Sequence, residues 1–144
     1  MEVQIREYRI EDYDNLINLW KEADLVYRPK GRDRQDKIEK EHRQNTSIFL
    51  VAELNGEIIG SVFGTHDGRK GWINRLAVNP DFRKKDIARK LVYEVEKKLD
   101  ELGIDIVACM IEGWNKESMK VFEKLGYEKY PDVVYYTKRK NWDV

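Results

Sequence analysis

The sequence has few of the residues that stabilise secreted or metal-containing domains. Cys109 is the only cysteine, and there are two histidines. One thiol cannot close an intrachain disulfide, and a tetrahedral zinc site would need carboxylate ligands as well. No apolar run approaches the ~18 residues of a membrane span, and the N-terminal residues lack the apolar segment of a secretory signal. We therefore expect a soluble cytoplasmic protein without a metal.

An excess of charge of one sign is missing too. The chain contains 27 Lys and Arg and 27 Asp and Glu, which gives a net charge of zero. This balance provides no overall field that would attract nucleic acid or an anionic membrane, so we expect neither as a partner. With 144 residues, of which 41% are hydrophobic, the chain has the size and apolar content of one globular domain spanning residues 1–144.

The hydrophobic pattern of the first half predicts a strand, two helices and a hairpin. Apolar residues alternate over residues 3–6, and they recur at helical spacing over residues 13–20. Residues 33–44 are helix-permissive but almost entirely polar, with Ile38 as the one clear apolar anchor, which is typical of a solvated helix or a mobile lid. Two apolar stretches then flank Asn55-Gly56, a dipeptide that favours a tight hairpin turn.

The second half predicts a crossover connection. A strand is expected over residues 72–78, and a helical stripe extends from Ile87 to Leu102. Residues 104–111 form a nearly continuous apolar run, which indicates a strand covered on both faces and parallel to the strand before the helix. A second helix follows Asn115. Final strands are predicted over residues 127–130 and 133–138. We therefore expect an α/β fold with a twisted, mostly antiparallel sheet of six or seven strands, a parallel pair at its centre and helices on both faces.

A basic turn between a strand and a helix carries the strongest chemical signal. The strand ends at Asn79-Pro80, and five of the eight residues from Arg83 to Lys90 are Lys or Arg. A helix N-terminus presents unpaired N–H groups and the positive end of the helix dipole, so cations placed there need an external anion to explain them. A solvated helix start is the alternative interpretation of such a run.

The same segment, LAVNPDFRKKDIARKL at residues 76–91, resembles motif A of the GNAT family of acyl-CoA-dependent N-acyltransferases. The matching residues are Leu76, Ala77, Val78, Pro80, Arg83, Ile87 and Ala88. A second family pattern, N-x-x-[AS]-x-x-x-[YF]-x-x-x-G-[FY], is matched downstream by Asn115, Ser118, Phe122, Gly126 and Tyr127. From residue 3 to residue 139 the chain is similar to the GNAT family, and the N-terminal portion looks like its YpeA-type subgroup.

The resemblance implies an enzyme that transfers an acyl group from a coenzyme A thioester to an amine, with the amine attacking the thioester directly. The expected acyl group is acetyl. The thioester would lie between the strands at 72–78 and 104–111, with the backbone N–H of Val78 as the oxyanion donor. Acetyl-CoA would be the cosubstrate, the acceptor would be a small-molecule or peptide amine, and a homodimer is an open alternative to a monomer. Coenzyme A contacts are implied for Leu76, Ala77, Val78, Arg83, Lys84, Lys85, Asp86, Ile87, Ala88, Arg89, Asn115, Ser118 and Phe122.

Two residues depart from the family pattern. Asp86 stands where glycine is usual, and its carboxylate would repel the diphosphate of coenzyme A unless it turned outward as a helix cap or paired with Arg83, Lys90 or another cation. Phe122 stands where many members have a tyrosine that protonates the leaving thiolate, and phenylalanine has no proton to give. The alternative function is therefore a GNAT-fold coenzyme A-binding or regulatory module without catalysis.

Candidates for the catalytic base and acid are few. Glu112 is the acid just after the strand that borders the proposed thioester site, and Tyr127 offers a phenol after the second helix. Asp67 and His66 lie in a turn between strands, where a solvated turn residue is the commoner role of a histidine. Glu112 and Asp67 together favour a cationic amine as acceptor. Cys109 lies within an apolar run and is expected to be an unreactive buried thiol.

Overall fold

A computed structural model describes residues 2–83 and 85–144, which form five strands and four α-helices. The strands are β1 (Gln4–Glu7), β2 (Ser47–Leu54), β3 (Glu57–His66), β4 (Gly71–Val78) and β5 (Val107–Cys109). The helices are α1 (Tyr13–Glu22), α2 (Gln35–His42), α3 (Ile87–Glu101) and α4 (Lys116–Lys124). The four helices and the first four strands lie within a few residues of their predicted positions.

The strands form one sheet in chain order, β1-β2-β3-β4-β5. The first four strands pair antiparallel, whereas β4 and β5 pair parallel, from Gly71 opposite Val107 to Ile73 opposite Cys109. A parallel pair needs a long connection, and α3 supplies it. The parallel arrangement predicted for this strand, helix and strand is confirmed.

The β2–β3 hairpin follows directly from its turn residues. Asn55 and Gly56 have φ values of 51° and 80°. Positive φ at both central positions is what the favoured two-residue hairpin turn requires, and asparagine and glycine adopt it at the lowest cost. Leu54 therefore pairs with Glu57, and the register of both strands is set from this end.

Helices cover both faces of the sheet. On one face α3 packs so closely that a Cβ on Gly64 would lie 2.6 Å from Val95 Cγ1, and a Cβ on Gly71 would lie 2.6 Å from Leu99 Cδ1. Glycine at these two positions therefore permits the close approach of helix and sheet. The opposite face packs against α1 and α2, and Ile38, which is fully buried, attaches the otherwise polar α2 to the sheet.

The prediction of six or seven strands is wrong for the described residues, which contain five. Residues 127–130 and 133–138 form no strand. The one backbone–backbone hydrogen bond between residues 128 and 138 closes a turn, from Val133 N–H to Tyr130 C=O at 3.4 Å. The side chain of Tyr136 is 88% exposed. Alternating apolar residues show that a segment is able to line a sheet, but a strand also needs a partner backbone within hydrogen-bonding reach.

The last strand is shorter and more exposed than predicted. Strand geometry covers residues 107–109 instead of 104–111, and Ile106 and Met110 are exposed. Because no described strand lies beyond β5, the parallel pair is at the edge of the sheet and not at its centre. A continuous apolar run is compatible with a covered strand and with an edge strand that exposes apolar side chains, so the pattern alone could not distinguish them.

Candidate active site

The candidate active site begins where β4 and β5 separate. Their pairing stops at Ile73 opposite Cys109, whereas β4 stays paired with β3 as far as Val78 opposite Gly60. From Asn74 onward, the edge of β4 that faces away from β3 therefore has no strand partner in the described part of the chain. The residues that follow Cys109 form the other wall of the opening.

A β-bulge explains why β4 leaves β5. Arg75 has a φ of 55°, and the pairing with β3 shifts between Ser61 and Phe63. Arg75 and Leu76 together therefore oppose the single residue Val62. Such an extra residue bends a strand and increases its twist, which turns the second half of β4 away from the line of β5.

A buried hydrogen-bond chain holds the bulge in place. The Nε1–H of Trp20 donates to Ser61 Oγ at 3.0 Å, and Ser61 Oγ donates to the carbonyl of Arg75 at 2.8 Å. Both Trp20 and Ser61 are fully buried. The guanidinium of Arg75 donates to the buried carboxylate of Asp33 at 2.7 Å and lies over the Trp20 ring. The strained residue is thus fixed through its backbone and through its side chain.

The backbone of Val78 faces the opening. The next residue, Asn79, donates its N–H to Ile59 of β3 at 2.8 Å. Backbone groups of successive residues in a strand point to opposite sides, so the N–H of Val78 points toward the β5 side. Its carbonyl accepts a hydrogen bond from Arg83 Nε at 3.3 Å rather than one from a strand. An N–H with this orientation is suited to the oxyanion role implied for Val78.

The opening leads into a cavity of about 430 Å³. One wall is built from the end of β4, the chain after β5 and the start of α4. These elements contribute Leu76, Glu112, Asn115, Ser118 and Phe122. The facing wall comes from α2 and the segment between α1 and α2. Its polar residues are Asp24, Arg32, Asp33 and Glu41. The cavity therefore has a side with few charges and a side with many, which we call the charged wall.

The N-terminus of α3 carries the residues predicted to bind the coenzyme A phosphates. Asp86 is the residue before the helix, and it adopts the left-handed conformation with φ 62° and ψ 15°. Glycine, the residue expected here from the family resemblance, is able to adopt this conformation without strain, and aspartate is one of the few other residues that tolerates it. Its side chain makes no capping hydrogen bond and lies 3.5 Å from Arg89 Nη2.

Asp86 is therefore paired with a cation, which is one of the two arrangements predicted for its side chain. The partner is Arg89 rather than Arg83 or Lys90, and the carboxylate is exposed. Arg83 and Lys85 are exposed beside it, Ile87 is buried and anchors the helix, and Ala88 is half-buried. Lys84, which was also predicted to contact coenzyme A, lies outside the described residues. Ala77 is buried in the sheet and Val78 is half-buried.

The start of α4 lines the cavity. Asn115 Oδ1 accepts the backbone N–H of Ser118 at 3.1 Å and so caps the helix. Asn115, Ser118 and Phe122 all line the cavity. The cap and a ligand contact are compatible, because the oxygen of Asn115 serves the helix while its amide NH₂ is the group that a ligand would meet.

The two predicted catalytic residues lie in different surroundings. Glu112 is exposed and lines the cavity. The hydroxyl of Tyr127 donates to Glu96 Oε2 at 2.7 Å, and Tyr127 is absent from the cavity lining. Burial, reinforced by the hydrogen bond to Glu96, raises the pKa of the Tyr127 phenol above its ordinary value. This proton is therefore held in a structural bond away from the cavity.

Three further residues have the surroundings expected of inert groups. Cys109 is half-buried and lines the cavity, rather than being fully buried as predicted, and the burial that it has raises the pKa of its thiol to about 11, which keeps it protonated at neutral pH. Asp67 accepts the backbone N–H groups of Lys70 at 2.8 Å and Arg69 at 2.9 Å, which lower its pKa and close the β3–β4 turn. His66 accepts the N–H of Gly68 at 3.1 Å within the same turn. Neither turn residue lines the cavity.

The sequence did not single out the charged wall. Burial of the Glu41 carboxyl, reinforced by Asp33 and opposed by Arg75, raises the pKa of Glu41, although much of its side chain is exposed. Arg32 and Asp24 line the same wall. No pattern within a polar helix indicates which side faces a cavity. Only the packing of Ile38 settles this orientation.

Comparison with known proteins identifies relatives along most of the chain. A family model described as the acetyltransferase (GNAT) family matches residues 11–127. The acetyltransferase SG1711 of Sodalis glossinidius (strain morsitans) is 37% identical over 137 residues, which are 95% of this chain and 95% of that protein. The narrower YpeA-type resemblance stays a prediction.

Solved structures share the fold. The PaiA N-acetyltransferase of Thermoplasma acidophilum, in complex with coenzyme A, superposes with a TM-score of 0.81 at 22% identity, over 89% of this chain and 91% of that one. AAC(6')-Iy, in complex with the bisubstrate analogue CoA-S-monomethyl-acetylneamine, superposes with a TM-score of 0.81 at 21% identity, over 96% and 99% of the two chains. At these identities the similarity establishes the arrangement of helices and strands.

Two other features are missing from the described residues. None of the helices is both long and apolar enough to cross a bilayer. No three or more His, Cys, Asp or Glu side chains come together in the way that a metal ion requires.

Proposed function

The chain belongs to the GNAT family of acetyltransferases, and from this premise we propose that it transfers the acetyl group of acetyl-CoA to an amine held in the cavity between β4 and β5. The separation of these strands after Ile73 carries the proposal, because it leaves the edge of β4 from Leu76 to Val78 available to a thioester and pantetheine chain. Coenzyme A binding is typical of the family, and two of the similar structures contain coenzyme A or an analogue of it.

Coenzyme A would be held at two places. Its diphosphate would meet the backbone N–H groups at the start of α3, where Arg83, Lys85 and Arg89 add positive charge. The pantetheine would extend along Leu76 to Val78 and meet the amide NH₂ of Asn115. Because Asp86 is exposed and paired with Arg89, the N–H groups of the helix start are left available to the phosphates.

The reaction needs a nucleophile, an oxyanion donor and a route for one proton. The amine nitrogen would attack the carbonyl carbon of the thioester, which forms the C–N bond, and collapse of the adduct would break the C–S bond. The N–H of Val78 would stabilise the oxyanion. The cavity would hold the amine and thioester in contact, and positioning of this kind accounts for a large part of the rate in such direct transfers.

We propose Glu41 as the group that takes the proton from the amine. Its raised pKa makes it a stronger base than an ordinary carboxylate, and it lies in the charged wall of the cavity, where the acceptor would bind. Glu112, the residue predicted from sequence, lines the same cavity and would attract the ammonium form of the acceptor. The leaving thiolate would take a proton from solvent, since Phe122 has none and the phenol proton of Tyr127 is committed to Glu96.

A non-catalytic GNAT module is not favoured. The two departures that suggested it have structural explanations, because Asp86 is turned outward and Phe122 contributes a cavity wall without blocking it. The relative at 37% identity and the similar PaiA structure are named as acetyltransferases, and the similar AAC(6')-Iy structure contains a bisubstrate analogue. We propose a small-molecule or peptide amine as the acceptor.

We also propose that the chain forms a homodimer. The edge of β5 has no described partner strand, and Val133 and Tyr136 of the C-terminal segment are 76% and 88% exposed. Light scattering coupled to size-exclusion chromatography would test this, and a monomer mass at micromolar concentration would contradict it.

The experiment that tests the function is amine-dependent release of coenzyme A thiol, measured against pH for wild type, Glu41→Gln and Glu112→Gln. If Glu41 is the base, kcat/KM of wild type falls as the pH drops below the raised pKa of Glu41, and Glu41→Gln loses this dependence. Glu112→Gln should raise KM while it retains the pH profile. A pH limb that disappears in Glu112→Gln instead would assign the base to Glu112, and release of thiol that needs no amine would contradict the proposed transfer.

A further inference from the structure

The side chain of Arg75 connects the bulge of β4 to the segment between α1 and α2. Its Nη2–H donates to the carboxylate of Asp33 at 2.7 Å, and its Nη1–H donates to the backbone carbonyl of Val26 at 2.9 Å. The ion pair is shielded from water, because the side chains of Arg75 and Asp33 are only 16% and 6% exposed. A planar guanidinium with two such charge-assisted bonds holds its two acceptors in a fixed relation to each other.

Asp33 organises the segment that Arg75 holds. Its carboxylate also accepts the backbone N–H of Arg28 at 2.6 Å, and its backbone carbonyl accepts the hydroxyl of Tyr13 at 2.8 Å. Its own N–H donates to the carbonyl of Arg28 at 3.0 Å. Residues 23–34 contain neither helix nor strand, so these bonds replace the regular backbone pairing that would otherwise fix the segment. The turn around Asp33 is therefore attached to β4 through Arg75.

A second contact attaches the beginning of the same segment to the end of β4. Glu22, the last residue of α1, accepts the side-chain N–H of Asn79 at 2.8 Å, and Asn79 is buried. Arg75 directly precedes residues 76–78, the edge proposed for the thioester, and Asn79 directly follows them. The two contacts therefore lie on either side of this edge. The segment, which forms much of the charged wall, is thus held in register with residues 76–78.

We propose that Arg75 is a positioning residue for the acceptor amine. Through Asp33 and Val26 it holds the charged wall at the place from which the amine reaches the thioester on residues 76–78. The proposal rests on the proposed acetyl transfer and on binding of the acceptor at the charged wall. The rate of a direct transfer depends strongly on the contact between the two reactants, so a wall displaced by about 1 Å weakens binding and attack by the amine. The proposed contacts of the coenzyme A phosphates lie in another element, at the start of α3.

Two variants of Arg75 and one matched control test the proposal. Arg75→Gly removes the side chain and keeps the backbone, because glycine adopts the positive φ of this residue without strain. Arg75→Lys keeps a positive charge beside Asp33 without the planar, two-donor geometry, and it remains a test if the glycine variant does not fold. Arg6→Ala is the control for the loss of a shielded ion pair. Arg6 is paired with Asp12 at 2.8 Å, lies in β1 and is absent from the cavity lining.

Steady-state kinetics with acetyl-CoA and spermidine, lysine or triglycine as the amine separate an effect on the acceptor from an effect on the cosubstrate. In Arg75→Gly the KM of an accepted amine should rise about tenfold, while the KM of acetyl-CoA changes by less than about twofold. Arg75→Lys should show a smaller rise. Millimolar guanidinium ion should partly restore the amine KM of Arg75→Gly, because it is able to pair with Asp33 in place of the missing side chain. Arg6→Ala should keep the amine KM of wild type.

Hydrogen exchange keeps this proposal separate from the proposed transfer. The backbone N–H groups of Arg28 and Asp33 should exchange on the order of tenfold faster in Arg75→Gly than in wild type, and Arg6→Ala should leave them unchanged. If wild type transfers acetyl to no amine but this difference is found, the positioning of the charged wall stands and the acetyl transfer falls. Unchanged exchange in both Arg75 variants, an equal rise of the amine KM in Arg6→Ala, or weaker acetyl-CoA binding with an unchanged amine KM would overturn the proposal.

Discussion

Replacing Asp86 tests how this chain binds coenzyme A without the usual glycine. The left-handed backbone of Asp86 and its exposed carboxylate make two separate contributions. Asp86→Asn removes the charge and keeps a residue that tolerates positive φ, Asp86→Gly removes the charge and the side chain, and Asp86→Ala removes the charge but places a methyl group at φ 62°.

The expected gain is small because the carboxylate is exposed. Two unit charges about 7 Å apart in water repel by about 0.6 kcal/mol, so two phosphate charges would contribute about 1 kcal/mol, or roughly fivefold in Kd at low salt. At physiological ionic strength, where the Debye length is about 8 Å, screening should reduce the gain to about twofold. Loss of the Asp86 partner also frees Arg89 for the phosphates.

Calorimetric titration of acetyl-CoA at low and at physiological salt would measure these effects. Asp86→Asn and Asp86→Gly should bind more tightly than wild type, with the difference shrinking as salt rises. Asp86→Ala should also lose about 1 kcal/mol of stability in denaturant unfolding, because alanine is strained in the left-handed region. Asp100→Asn, at the exposed far end of α3, is the control for net charge. Unchanged or weaker binding by Asp86→Asn at low salt would refute the reasoning.

Three other predictions concern the surroundings of the cavity. Ser61→Ala leaves the buried indole N–H of Trp20 without an acceptor and frees the Arg75 carbonyl, so urea unfolding should show a loss of about 1–3 kcal/mol; a loss below 0.5 kcal/mol would contradict the role of this chain of bonds. The half-buried Cys109, whose pKa is raised to about 11, should react with iodoacetamide at pH 8 on the order of 100-fold more slowly than free cysteine, and rapid alkylation would show that its pKa is not raised. The pKa of Glu41 is higher in the folded than in the unfolded protein, so the protein loses stability as the pH rises through these two values and the folded state must ionise Glu41. Glu41→Gln should therefore slightly raise the Tm at neutral pH and leave it unchanged at pH 4. The same shift in Tm at both pH values would refute the assignment.

The sequence predicted those features that local chemistry determines. Asn55-Gly56 specifies its hairpin because few dipeptides accept positive φ at both positions, and the register of β2 and β3 follows from it. The basic turn before α3 was recognisable because cations are unusual at a helix N-terminus. Asn115 was identified as a cap from its place before an amphipathic segment, and the hydrogen bond to Ser118 agrees.

Apart from the parallel pairing of β4 with β5, features that depend on long-range pairing were not predicted. Residues 127–138 have a strand-like pattern, but β5 is three residues long and no backbone ladder reaches them. The bulge at Arg75 leaves no mark in the local pattern, because a strand of any composition can accommodate an extra residue opposite Val62. Glu41 was missed for a related reason: its importance comes from facing a cavity whose other wall is more than 30 residues away in the sequence.

Transfer of acetyl to an amine is the central claim, and product analysis tests it most directly. Wild-type protein would be incubated with isotopically labelled acetyl-CoA and a panel of small-molecule and peptide amines, and mass spectrometry would follow the label while a thiol reagent follows free coenzyme A. The account predicts that thiol release depends on the amine and that each thiol released corresponds to one labelled acetyl group on an amine nitrogen. Tight binding of acetyl-CoA with no labelled amine, or with label recovered as free acetate, would contradict it.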